Sequence, residues 1–411
     1  MGHYIPQSVR FVLRRLNENG FKAYPVGGCV RDTLLGRAVH DWDIASSARP
    51  DDIKRVFADL TCFDEGQKFG TVAVMAGGEK IEITTFRRED VYSDLRRPDR
   101  VYFSDDLKED LSRRDFTVNA LAFDESGEVI DCFGGCSDLE RGLLRAVGDA
   151  EARFHEDALR IMRAIRFCGV LGFSLEKETR AAVFRCRGLL ERVARERIYD
   201  EFKKLVTGGG ASHVISEYAE VIAVFAPDIS RARSLSFACA VISYLPPDFY
   251  TRLAALYVCG GIDDAAARAR GLFCSLKSSR EDRTRTDNII AAFWALVDTS
   301  DVTLKKALSR AGERAVKDAI RIRTAAAKVS NDEKSITLYT EAQKKTDAII
   351  DSGECFTLGA LSIDGKDLIK LGFKPSPHLG AILDELLSAV IEGKIPNERK
   401  ALLSYAKKLQ I

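Results

Sequence analysis

Residues 27–44 read GGCVRDTLLGRAVHDWDI. Asp41 and Asp43 stand two residues apart, and alternate residues on a strand share a face. A strand over Asp41–Ala45 therefore projects both carboxylates together and turns Trp42 into packing. Two carboxylates side by side repel each other unless a cation sits between them. Oxygen-only ligands that leave room for water and phosphate suit Mg²⁺, and two such ions bridged by carboxylates serve nucleotidyl transfer. Upstream, Ala23–Val26 reads as a short strand, Gly27-Gly28 as a turn, and Cys29–Leu35 as a helix with Arg31 in its first turn. Backbone N–H groups at a Gly-rich helix start form an anion cradle, and Arg31 adds a fork of donors for phosphate oxygens. A lone D-x-D or G-G is common in ordinary strand–turn–helix units. The ordered string G-G, R-D, L-G-R, D-x-D is specific.

This string resembles the head-domain signature of the polymerase β-like nucleotidyltransferases. More narrowly, it is similar to the class II tRNA nucleotidyltransferase and bacterial poly(A) polymerase family. The resemblance runs through nearly the whole chain and is sharpest from Tyr24 to Leu205. It implies an α/β catalytic head followed by an all-helical neck, body and tail.

Bulk properties agree with such a layout. The 411 residues exceed one core, so roughly two to four domains are expected. No segment offers the roughly 20 uncharged apolar residues of a membrane span, and the N-terminus lacks a signal-peptide pattern. The ten cysteines are scattered and complete no zinc site, which suits reduced thiols and a cytoplasmic protein. The net charge of +1 hides a segregation: residues 1–140 carry 19 basic against 26 acidic side chains, residues 141–205 carry 15 against 10, and the remainder 28 against 25. An acidic, metal-holding head beside a basic arm fits an enzyme that grips a polyanion.

Along the chain, strands are expected at Ala23–Val26, Asp41–Ala45, Thr71–Ala76, Lys80–Thr85, Asn119–Phe123 and Val129–Asp131, with hairpin turns at Gly77-Gly78 and Ser126-Gly127. The charged segment 87–100 reads as a loop. From about Arg141 helical patterning takes over. Gly208-Gly209-Gly210 and Asn331–Lys334 read as joints. The resulting division is a head at 1–140, a neck at 141–207, a body at 208–330 and a tail at 331–411.

Three further groups carry chemistry. Glu82, on the strand KIEITTF, is a possible third metal ligand beside Asp41 and Asp43, with a solvent-facing Glu as the plain alternative. The run LSRRDFTVNALAF (111–123) matches the family's second motif. By resemblance Arg114 contacts the nucleotide's phosphates, Asp115 accepts from the ribose 2′-OH, and Asn119 holds that loop; Arg113 is read as a surface ion pair. Glu156-Asp157-Ala158-Leu159-Arg160 is the third. On a helix, Asp157 and Arg160 are i, i+3 neighbours and Glu156 can steady Arg160 at i, i+4. A carboxylate that accepts from an amino group, next to a guanidinium that donates to a ring nitrogen, matches the N4/N3 edge of cytosine and the N6/N1 edge of adenine. Uracil and guanine present the reverse pattern and leave buried polar groups unpaired. By resemblance Arg163 and Arg166 belong to the same pocket, together with Gly28 and Arg31, and Gly27 supports them. The stretch RERIYDEFKKLV (195–206) is expected to brace the neck.

The resemblance thus implies template-independent addition of C, C and A to the 3′ end of tRNA from CTP and ATP, with Mg²⁺ at Asp41 and Asp43. The tRNA partner would be held by neck, body and tail through shape and charge. An A-adding tRNA nucleotidyltransferase or a bacterial poly(A) polymerase is the nearest alternative, and a non-catalytic RNA-binding scaffold the remote one. The loop at Arg87–Arg100, with Arg96-Arg97-Pro98, reads as full length, which favours CCA or A addition over CC addition. Oligomeric state does not follow from the sequence.

Overall fold

The amphipathic run QSVRFVLRRLNE forms helix α1 (Gln7–Glu18), which buries Val9, Val12, Leu13 and Leu16 at helical spacing. The structure, a computed structural model, describes residues 4–64, 70–89, 101–376 and 378–409. Its chain divides into two compact units, Met1–Leu205 and Val206–Ile411.

The first unit is built on β1 (Ala23–Pro25), α2 (Gly28–Leu34), β2 (Asp43–Ser46), α3 (Pro50–Val56), β3 (Cys62–Phe63), β4 (Thr71–Ala76) and β5 (Glu79–Thr85). The strands form one sheet in the order β1-β2-β5-β4-β3. The β2–β5 pair is parallel and the other pairs are antiparallel. Gly77 and Gly78 link β4 to β5 with φ of 59° and 83°, the positive values a two-residue hairpin turn requires. Along β5, Ile81, Ile83 and Thr85 are buried while Glu82 faces out, the period of two of a half-buried strand.

Two strand expectations are corrected. β2 begins at Asp43 rather than Asp41; β1 ends at Pro25 opposite Ile44 and the chain then turns at Gly27, so the antiparallel pairing on that side does not reach Asp41. The alternation nevertheless persists, with Asp41 and Asp43 exposed and Trp42 buried. Arg87–Glu89, read as loop, is strand β6 and pairs antiparallel with β7 (Val101–Phe103). Main-chain bonds from Phe86 to Ser46 (2.7 Å) and from Ser104 to Phe86 (2.8 Å) anchor this ribbon to the sheet, and a pairing across that separation leaves no local sequence pattern. The rest of the expected loop, Arg96-Arg97-Pro98 included, lies outside the described residues.

Then come α4 (Leu107–Ser112), a 3₁₀ turn at Thr117–Asn119, and the hairpin β8 (Leu121–Phe123) and β9 (Val129–Asp131). Asn119 thus sits in the turn and not on the strand. Val26, Ala45, Phe86, Leu111, Ala120, Ala122 and Val147 form a core cluster between sheet and hairpin. Beyond it lie α5 (Gly135–Glu140), β10 (Leu143–Leu144), α6 (Ala150–Glu156), α7 (Leu159–Leu171), β11 (Ser174–Leu175), α8 (Lys177–Cys186) and α9 (Arg195–Thr207). The region is helical except for the short parallel pair β10–β11.

The second unit contains only helices and a 3₁₀ turn among the described residues. Its core includes Tyr218, Tyr257 and Phe273. Gly208–Gly210 separates α9 from the next helix, Ala211–Glu217. Arg252, only 6% exposed, donates to the carbonyls of Val206, Gly208 and Leu245 at 2.9–3.0 Å, so it satisfies acceptors left free past a helix end. Asn331–Lys334 spans the turn and the first residues of the second of two packed helices, Glu313–Val329 and Glu333–Asp351. Asn331 takes φ 53° there, so the stretch begins as a tight helix–helix turn within this unit. None of the ten cysteines is in a disulfide. No described helix is long and apolar enough to cross a membrane.

Candidate active site

One cleft of about 470 Å³ opens within the first unit. Its floor is the β1–α2 turn. Gly27 has φ 82°, ψ −127°, a conformation open in practice only to glycine, and a Cβ there would meet the Arg114 guanidinium at 2.6 Å. Gly27→Ala is expected to destabilise the fold by about 1–2 kcal/mol through the backbone alone and to push Arg114 out of place. Thermal melting reads the first effect, and the position of Arg114 in the variant's structure reads the second.

Asp43 lies in the cleft wall, and Glu82 is its direct register partner on β5. Although Asp43 is open to solvent at the cleft, the protein packed around it displaces enough bulk water to hold its carboxyl above the ordinary value, the charges of Glu82 and Asp41 add to this, and Arg114 pulls the other way. Three neighbouring carboxylates with this mutual penalty are a donor set that a divalent cation would relieve. Among the described residues no three His, Cys, Asp or Glu side chains gather closely enough to enclose an ion by themselves. Asp41 and Glu82 are not part of the cleft lining itself.

Arg31, Arg114, Asp115 and Asn119 meet beneath this wall. Arg31 donates to Asn119 Oδ1 (2.5 Å) and to both oxygens of Asp32 (2.9 and 2.8 Å), so most of its fork is already engaged within the protein. Arg114 pairs with the fully buried Asp110 at 3.3 Å. Arg113, expected on the surface, also binds Asp110 (2.8 Å) and lines the cleft. The isolated RR dipeptide did not reveal that partner.

Asp115 is buried and accepts from the Phe116 N–H (2.9 Å), Asn119 Nδ2 (3.0 Å) and Arg163 Nε (2.7 Å). Burial pushes its pKa up, but Arg163, Asn119 and Arg160 outweigh that and bring it down to about 2, from an ordinary 3.8. A lowered carboxyl pKa stabilises the fold above the unfolded value and loses that contribution as pH falls through the folded value. The shift corresponds to about 2 kcal/mol. Asp115→Asn is therefore expected to be less stable than the parent at pH 7 by at least that amount. The gap should close as pH falls from about 4 to about 2, read by denaturant melts across that range.

The segment from Asp157 to Phe167 supplies the opposite wall. Asp157 was expected inside one helix with Glu156 and Arg160. Instead it has φ −134°, ψ 102° and separates α6 from α7. Its carboxylate accepts from the Leu159 N–H at 3.0 Å, the local bond by which Asp favours helix starts over interiors. Glu156 still reaches Arg160, at 2.6 Å, across this break. Arg160 also donates to the carbonyls of Arg153 (3.1 Å) and Arg113 (2.8 Å). Arg197 of α9 holds Asp157 at 2.9 and 3.3 Å, and the buried Glu201 of α9 pairs with Arg166. The expected brace thus consists of two named ion pairs. Burial pushes the Arg166 pKa down, against the pull of Glu201, and the neighbouring Arg163 adds to the lowering. Phe167 also lines the cleft; nothing in the sequence singles it out, because an apolar residue in a helical pattern carries no signal of a cleft.

Of the residues expected at the site, the cleft brings together Gly27, Gly28, Arg31, Asp43, Arg114 and Asp115, with Asn119, Asp157, Arg160, Arg163 and Arg166. Asp41, Glu82 and Glu156 stand behind or beside it.

Comparison with known proteins gives concordant matches. Residues 23–145 match the family described as "Poly A polymerase head domain", and residues 251–406 match the second domain of tRNA nucleotidyltransferases. The CCA-adding enzyme of Lactobacillus delbrueckii subsp. bulgaricus is 39% identical over 400 residues, 96% of each chain. That of Limosilactobacillus fermentum is 38% identical over 410 residues, covering 98% of this chain and 97% of its own. The crystal structure of the Bacillus stearothermophilus CCA-adding enzyme in complex with CTP superposes with a TM-score of 0.83 at 31% identity, covering 98% of this chain and 97% of the other.

Proposed function

This chain belongs to the family of CCA-adding tRNA nucleotidyltransferases, and on that premise we propose that it adds C, C and A to the 3′ end of tRNA, with CTP and ATP as donors and pyrophosphate as product. The observation that carries this reading is the single cleft that holds Asp43, Asp115, Asp157 and Arg160 together. Asp41 and Asp43, with Glu82 at hand, would hold Mg²⁺, which when bound activates the tRNA 3′-hydroxyl and neutralises charge on the triphosphate. Arg114 binds phosphate from the Gly27-Gly28 floor. Asp115, kept ionised at neutral pH, accepts from the ribose 2′-OH and so selects ribonucleotides. Asp157 accepts from the amino group of C or A, and Arg160 donates to the ring nitrogen beside it.

Residues 1–140 act as catalytic head and 141–207 as the base-reading neck. Residues 208–330 and 331–411 serve as body and tail for tRNA. The cytoplasm is the proposed location. The test offers purified protein, Mg²⁺ and each labelled nucleotide singly to tRNA lacking CCA, tRNA ending in CC, and a generic RNA 3′ end. Incorporation of C on the first and A on the second is expected. Addition of A to generic RNA as efficiently as to tRNA would instead indicate a poly(A) polymerase, and addition of A alone, to tRNA ending in CC, an A-adding enzyme.

A further inference from the structure

We propose that Phe167 is a positioning residue that fixes the arginines of the nucleotide cleft by offering them one shared aromatic ring. The guanidinium carbons of Arg166, Arg31 and Arg163 lie 3.8, 5.2 and 5.3 Å from its ring centroid. Each of these arginines has its edge committed elsewhere: Arg31 to Asp32 and Asn119, Arg163 to Asp115, Arg166 to Glu201. Arg163 and Arg166 share α7 with Phe167, whereas Arg31 stands on α2, so α7 alone does not place the third cation. The ring ties Arg31 to the α7 pair. Its negative quadrupole attracts each guanidinium where the cations would otherwise repel one another. Phe167 itself is 5% exposed and is held edge-on by Phe116, with centroids 5.9 Å apart and planes at 83°, a preferred aromatic geometry. It cannot turn away without leaving that contact.

The inference rests on the reading of the cleft as a nucleotide site, because what the ring positions is the grip on CTP and ATP. An ordinary core phenylalanine would matter only to stability. The distinction is testable with Phe167→Leu and Phe167→Met, which keep apolar bulk and lose the ring, and Phe167→Tyr, which keeps the ring and can direct its hydroxyl into the cleft. Steady-state addition to tRNA lacking CCA and tRNA ending in CC gives KM for CTP and ATP, with thermal melting run alongside. A rise in KM of about tenfold for both nucleotides is expected in whichever aliphatic variant folds, the order of two lost cation–π contacts. The KM for tRNA should be unchanged, and Phe167→Tyr should stay within about threefold of the parent on the same scale. Unchanged nucleotide KM in a folded Leu or Met variant overturns the inference. So does an equal loss in Phe167→Tyr. Should the parent add neither C nor A, the functional reading fails instead, and equilibrium binding of CTP to the same proteins then decides the role of the ring by the same criterion.

Discussion

Replacing Asp41 and Asp43 together by Ala is expected to lower nucleotide addition by about 10⁴-fold or more, with the fold intact. Removing one preorganised electrostatic partner of a transition state typically costs on the order of 10²–10³ in rate, and here both members of the proposed cation-holding pair go at once. Stability should respond in the opposite sense. Asp43 sits in register beside Glu82 with Asp41 close by, and its raised carboxyl pKa means that folding disfavours the ionised form. Such a group weakens the fold above its unfolded pKa, and the penalty disappears below it. In metal-free buffer at neutral pH the double variant should therefore melt no lower than the parent. Nucleotide addition that survived the double substitution would mean that the chemistry uses no carboxylate-bound metal, and would leave the RNA-binding scaffold as the better account.

How far the sequence reaches depends on whether a feature is local. The strand–turn–helix of residues 23–34, the β4–β5 hairpin at Gly77-Gly78 and the switch to helices after Arg141 are set by neighbouring residues, and each was readable. The edges of elements were less so. β2 starts at Asp43 rather than Asp41, and α6 stops at Asp157 because that carboxylate bonds the next turn instead. Neither edge is visible in a window of a few residues. The partners of the site residues were hidden for the same cause. Arg197 lies 40 residues from Asp157, Arg163 lies 48 from Asp115, and Asn119 lies 88 from Arg31. Glu201 and Arg197 were seen only as a helical brace. Phe167 was not singled out, because an apolar residue on a helix looks the same whether its ring meets aliphatic carbon or guanidinium. Arg31 is the converse. Its place in the motif suggested free phosphate donors, but the structure commits much of that fork to Asp32 and Asn119.

Asp157→Ala should remove base selection more completely than it removes turnover. In the parent, the Asp157 carboxylate is held from two sides, by Arg197 and by the Leu159 N–H. Arg160 is held by two carbonyls and Glu156. Side chains restrained this way cannot rearrange to suit a different base edge. Uracil or guanine would set an acceptor against the carboxylate and a donor against the guanidinium, leaving the two groups on the base edge unpaired and facing like against like in a partly buried site. Sites of this kind discriminate by roughly 10⁴-fold or more. Deleting the carboxylate relieves the penalty against U and G and removes the bond that favours C and A. The kcat/KM for CTP and ATP should fall by about 10²-fold, while that for UTP and GTP should hold or rise, so the ratio collapses toward unity. Arg160→Ala acts on the other half of the same pair and should converge on a similar ratio, because either half alone reads only one hydrogen bond. Kinetics with all four nucleotides on tRNA lacking CCA measure this directly. Retention of full discrimination in both variants would place base reading elsewhere in the molecule, however well Asp157 and Arg160 are held.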